Sequence, residues 1–151
     1  MRSDWSGIFS VLVTPCTLDG LVDVDRFTAL VERNIATGAD GVIVLGSTGE
    51  FYALDPATKR TLTEATVKTV AGRVPVLVGT ADIDPAGSIA TARMAAEVGA
   101  DGLLSLPPIY AAPDEREVEA YFRTLASATA LPMMLYNSPK RTGIALTPEK
   151  V

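Results

Sequence analysis

"GADGVIVLG" at residues 38–46 returns as "GADGLLSLP" at residues 99–107. In both copies a glycine and an aspartate lead into a short, branched, apolar run, which reads as a buried strand with a shared way in. A second pair interleaves with the first: "VPVLVGT" at 74–80 returns as "LPMMLYN" at 131–137. Strands therefore recur about every 30 residues, the length of one βα unit. With "IFSVLVT" at the start, the sequence predicts strands over 8–14, 41–46, 74–79, 102–106 and 132–137. Most are apolar on both faces, as a parallel sheet covered on both sides requires.

Helical patterns fill the gaps. Phe27, Leu30, Val31, Asn34 and Ile35 recur at helical spacing within 24–37, and Gly38 supplies a stop. Asp55-Pro56 and Asp84-Pro85 each pair a capping oxygen with proline at the first helical position. Residues 114–129 carry Val118, Tyr121, Phe122 and Leu125 on one face behind an acidic first turn, and Thr147-Pro148-Glu149 opens a fifth helix. Two folds share this order, an open doubly wound sheet and a (β/α)8 barrel. Five strands would complete the first. For the second, residues 1–151 would be the N-terminal part of a single barrel domain.

Composition narrows the function classes. Hydrophobic residues make up 48% and charged residues 21%, the balance of a soluble globular protein. No apolar run reaches the roughly 20 residues of a membrane span, and "MRSDWSGIFSVLVTP" lacks a basic head with a cleavage signal. A cytoplasmic location and no membrane partner are expected. The net charge of −5 and the scattered basic residues argue against nucleic acid. Cys16 is the one cysteine, so no internal disulfide can form; its expected role is that of a small, buried or half-buried filler at a strand end. There is no histidine. That removes Ser-His-Asp and Cys-His catalysis and histidine-bound zinc, and leaves acid–base work to Tyr, Lys, Asp, Glu or the substrate.

In either fold, ligands bind where strands deliver their C-terminal ends. Those ends read "TPC" at 14–16, "GSTGEF" at 46–51, "GTAD" at 79–82, "LPPIY" at 106–110 and "YNSPKRTG" at 136–143. The second offers close-approaching backbone N–H groups and the hydroxyls of Ser47 and Thr48, suited to a carboxylate or phosphate, although as a bare pentapeptide it could equally be a strand–loop turn. It is neither a P-loop nor a dinucleotide fingerprint, and no phosphate loop follows strand one. Tyr136 is either a core tyrosine with a bonded hydroxyl or an acid–base group. Lys140 and Arg141 are either a solvated pair or anion ligands, with the planar fork of Arg141 the better of the two. Tyr110 sits in a proline-stiffened loop suited to packing or subunit contact. Asp40 and Asp101 precede their strands and so belong to the far end, as structural residues.

Together, "TPC", "GSTGEF", "PPIY" and "YNSPKRTG", in this order and spacing, resemble the dihydrodipicolinate synthase / N-acetylneuraminate lyase family. The resemblance runs from the first strand to the last residue and implies a (β/α)8 barrel, of which this chain supplies about five strands and four helices. It also implies chemistry through a Schiff base between a lysine and pyruvate, or a keto acid that releases it, with no metal and no cofactor. Thr48, Gly49 and the adjacent amides would then hold the keto-acid carboxylate. Ser47, Tyr136 and Tyr110 would relay protons, Tyr110 reaching into a neighbouring subunit of a homo-oligomer, a dimer of dimers. Arg141 would bind a second substrate's carboxylate, which favours condensation of pyruvate with aspartate semialdehyde. Ser47 stands where the synthases usually carry threonine and resembles the sialic acid and 2-keto-3-deoxy sugar acid lyases and dehydratases. Ile109-Tyr110 likewise replaces a tyrosine pair.

The resemblance places the Schiff-base lysine on the strand after "YN", past Val151. It matches none of Lys59, Lys68, Lys140 and Lys150, so these 151 residues alone are not expected to perform the reaction. A catalytically silent truncated binding or assembly module is the reading from another class.

Overall fold

A computed structural model describes residues 5–111 and 113–147. Its four long helices start where aspartates stand in the sequence. Asp23 caps α1 (Val24–Ala36), Asp55 caps α2 (Pro56–Val70), Asp84 caps α3 (Pro85–Glu97) and Asp114 caps α4 (Glu115–Ala126). Each carboxylate accepts from a first-turn N–H that has no partner within the helix. At α4 the exchange is reciprocal, because Glu117 Oε2 accepts from Asp114 N at 2.8 Å. The acidic run is thus a capped, solvated helix start.

All five expected strands form, each shorter than its apolar run: β1 (Phe9–Val11), β2 (Gly41–Val44), β3 (Val76–Gly79), β4 (Gly102–Ser105) and β5 (Met133–Leu135). They make one parallel sheet in the order β1-β2-β3-β4-β5. An open doubly wound sheet reverses direction at a switch point, and this order never reverses. The architecture is the N-terminal half of a (β/α)8 barrel, which resolves the choice the periodicity leaves open. A short helix, α5 (Pro139–Thr142), lies within a segment the sequence presents as loop. Of the helix expected from 147, everything after Thr147 lies outside the described residues.

The repeated "GADG" makes the same joint twice. Asp40 Oδ2 accepts from Ile8 N at 2.7 Å while Asp40 N donates to Ile8 O. Asp101 Oδ2 accepts from Val76 N at 2.8 Å while Asp101 N donates to Val76 O. Each aspartate therefore ties its own strand to the start of the preceding one, the structural role expected of it. The glycine that follows makes room for an aromatic ring: a Cβ on Gly41 would fall 2.1 Å from Phe9, and one on Gly102 would fall 2.1 Å from Trp5.

The two faces of the sheet differ. Ser10 Oγ donates to Asn34 Oδ1 of α1 at 2.6 Å, so Ser10 and Leu12 face the helices. That side is dry, with Leu12 2%, Val42 0% and Val78 0% exposed. On the inner side Val11 is 37% and Val13 45% exposed. Each fully buried Val or Leu on the helix side contributes about 1.5–3 kcal/mol. At the surface Arg60–Glu97 ties α2 to α3 and Arg73–Glu32 ties the turn after α2 to α1, while inside Tyr121 Oη donates to Ser88 Oγ. Among the described residues no helix is long and apolar enough to cross a membrane.

Candidate active site at the strand ends

β2 ends by leaving extended geometry. Leu45 is buried yet adopts φ +58, a left-handed conformation unusual for leucine. Gly46 then leads into one tight turn, Ser47–Gly49. Gly49 N donates to Gly46 O and Glu50 N to Ser47 O, which leaves the Ser47 and Thr48 amides without acceptors inside the turn. Ser47 is half-buried, Thr48 exposed and Gly49 buried. Thr14, past the end of β1, donates its hydroxyl to Gly49 O at 2.7 Å. Gly49 thus brings the backbone close to β1 while its own N–H is engaged within the turn. The pattern of small polar residues after an apolar run is legible in the sequence; the left-handed Leu45 is not.

Tyr136 follows β5 directly, and its N–H donates to Ser105 O at 2.7 Å. The tyrosine is thereby fixed at the same end of the sheet as Ser47 and Thr48. Among the described residues, the hydroxyls of Ser47 and Tyr136 have no hydrogen-bond partner and Arg141 has no ion pair. Arg141 lies exposed on α5. Asn137 holds that segment shut, its Nδ2 donating to Leu146 O at 2.7 Å and its Oδ1 accepting from Leu146 N at 3.1 Å. Asn137 is a positioning residue that sequence reasoning missed, although it stands next to Tyr136.

Tyr110 goes the other way. It is 94% exposed with φ +74, at the centre of a three-residue turn closed by Ala111 N donating to Ile109 O. Within one chain it makes no hydrogen bond to Ser47 or Tyr136, so the structure does not gather the three into a relay. Cys16 departs from expectation. It is exposed, paired with Val22 in an isolated bridge, with Sγ donating to Thr14 O at 3.6 Å. The strand stops short of it, so the turn after β1 carries it into solvent instead of the core.

One pairing was not foreseen. Lys59 of α2 is 9% exposed and its ammonium meets Asp82, just beyond β3, at 3.3 Å. Such a pair joins residues far apart in sequence and leaves no local pattern. The Asp55 carboxyl that opens α2 is held below the usual carboxylate range, chiefly by the hydrogen bond from the Thr58 N–H. A groove of about 850 Å3 is lined by α4, β5 and residues 143–146, and no residue of 46–50 or 79–82 lines it. It lies on the outer flank of the last strand, apart from these polar groups.

The family model described as the dihydrodipicolinate synthetase family matches residues 4–151. An "uncharacterized DapA-like lyase" of Rhizobium meliloti is 42% identical over 153 residues, covering 100% of this chain and 50% of its own length. A 4-hydroxy-tetrahydrodipicolinate synthase of Xanthomonas axonopodis pv. citri is 43% identical, over 97% of this chain and 48% of its own. The chain thus spans about half the length of the curated relatives it matches. Among solved structures, YagE of E. coli K12, a prophage protein of the dihydrodipicolinic acid synthase family in complex with pyruvate, superposes with a TM-score of 0.93 at 35% identity, over 98% of this chain and 50% of YagE. CdNal of Clostridium difficile reaches the same TM-score of 0.93 at 22% identity, a likeness of fold.

Proposed function

Because the chain belongs to the dihydrodipicolinate synthetase family, we propose that it is the N-terminal half of a carbon–carbon lyase or synthase that works through a pyruvate Schiff base. The observation that carries this reading is the placing of Ser47, Thr48 and Tyr136 at the C-terminal ends of β2 and β5, on one end of a parallel half-barrel. YagE, similar along the whole of this stretch, holds pyruvate.

In the proposed reaction a lysine amine outside this stretch attacks the keto carbon of pyruvate and water leaves. The protonated imine acts as an electron sink and makes the methyl group acidic; Tyr136 takes the proton it loses, and the resulting enamine forms a bond to an aldehyde carbon whose oxygen gains a proton, or the reverse reaction breaks one. Thr48, with the Ser47 and Thr48 amides, grips the carboxylate, and Gly49 lets the turn come close. Tyr136 thus gives and takes protons near the keto carbon. Ser47 passes it on to Tyr110, which its exposure leaves able to enter the site of a neighbouring copy in a homo-oligomer, a dimer of dimers. Among the described lysines, Lys59 is engaged with Asp82, and Lys68 and Lys140 stand exposed.

The second substrate is aspartate semialdehyde, whose carboxylate suits the unpaired fork of Arg141. Ser47 favours a second reading, cleavage of sialic acid or a 2-keto-3-deoxy sugar acid. Assay of the whole protein with pyruvate plus aspartate semialdehyde, and separately with each sugar acid, decides between them. In Arg141→Ala, turnover of aspartate semialdehyde should fall at least about tenfold. Indifference to that change would remove the synthase reading.

A further inference from the structure

The turn that carries Ser47 and Thr48 is wedged between two neighbouring strands, backbone against backbone. On the β3 side, the carbonyl of Leu45 lies against Gly79. A Cβ there would come within 2.1 Å of Leu45 O, 2.7 Å of Leu45 C and 3.2 Å of Gly46 N. All three are main-chain atoms of the residues that launch the turn, so nothing flexible can give way. On the β1 side, a Cβ on Gly49 would fall 2.8 Å from Leu12 O and 3.3 Å from Thr14 Oγ1. The hydroxyl of Thr14 closes that side by donating to Gly49 O at 2.7 Å.

These contacts explain Leu45. A left-handed leucine is sterically disfavoured and persists only where its surroundings over-determine it. The register ends at Val44↔Val78, and the next residue of β3 is the one without a side chain. Space at Gly79 lets Leu45 turn its carbonyl toward β3, and that reversal swings Ser47 and Thr48 out at the strand end. Thr14 then holds the far side of the turn.

We infer that Thr14 and Gly79 are positioning residues that keep the 46–49 turn in the shape that grips the keto-acid carboxylate; this rests on the site reading proposed above. Neither need touch the substrate. They act through the turn, as residues beneath a preorganised site do.

The test is pyruvate binding and steady-state kinetics on the whole protein, with folding followed by circular dichroism and thermal melting. Thr14→Val keeps the volume and removes the donor; it should raise the Kd and KM for pyruvate on the order of 3- to 10-fold, with the KM of the second substrate unchanged. Thr14→Ser restores the hydroxyl and should return both to the wild-type value. Gly79→Ala should weaken pyruvate binding more than tenfold. If Gly79→Ala does not fold, the Thr14 pair still decides the matter. A folded Thr14→Val that binds pyruvate as the wild type does would overturn the inference while leaving the site reading intact. Wild-type protein that does not bind pyruvate at all would overturn both.

Discussion

Lys59 carries its ammonium to a place where its side chain is 11% exposed, and Asp82 meets it at 3.3 Å. The aspartate is needed more than the lysine. With Asp82 gone a charge stays buried and uncompensated, whereas methionine at position 59 removes the charge and keeps the packing. Asp82→Ala should therefore cost about 2–3 kcal/mol, near the low end for breaking a buried pair because Asp82 is partly solvated, and Lys59→Met under about 1 kcal/mol. Urea denaturation midpoints compare the two, and equal losses would show the charge to be irrelevant. At this scale the sequence was legible where chemistry is local. A strand ending in Ser47 and Thr48, and Asp40 and Asp101 ahead of their strands, could be read from neighbours in the chain. Lys59 could not, since its partner lies a helix and a strand away. Leucine at position 45 gave no hint of its left-handed backbone, because the cause is the missing side chain of Gly79 on another strand.

At the scale of elements, Asp55 at the start of α2 and Glu32 on α1 set how stability responds to acid. The Asp55 carboxyl is depressed mainly by the Thr58 N–H, and the Glu32 carboxyl mainly by the hydrogen bond from Arg73, which ties α1 to the end of α2. A carboxyl whose folded pKa is depressed stabilises above its unfolded pKa of about 4 and loses that stabilisation as pH falls through the folded value. Wild type should therefore melt above the Asp55→Asn/Glu32→Gln double variant at pH 7, with the gap narrower at pH 3. A gap that is the same at both pH values would assign the difference to packing. Aspartate–proline pairs made these helix starts readable, since the cap and the preset φ sit side by side. The four residues of α5 escaped because a single proline-led turn is too short for any periodicity, and it is Asn137 and Leu146 that hold it closed.

The whole molecule is a sheet that never turns back on itself. β1 and β5 each bond to one neighbour, and the inner face at Val11 and Val13 is left partly wet, while the helix side is closed. Edges of this kind invite pairing, and further strands in the same sense would satisfy both edges and the inner face together. Unbroken strand order, more than any single residue, distinguishes this from a complete open sheet, and it could not be read from spacing because both folds share the same alternation of elements.

Trp5 lies ahead of β1, yet its ring reaches Gly102 at the start of β4. The chain has one tryptophan, so its fluorescence is a built-in gauge of whether the first and fourth units have met. Native protein should emit to the blue of the unfolded chain. Gly102→Val, whose Cβ would fall 2.1 Å from the indole, should shift emission to the red while far-UV circular dichroism changes little. During refolding the same signal would time long-range docking separately from the formation of the helices, which begin at their own aspartates.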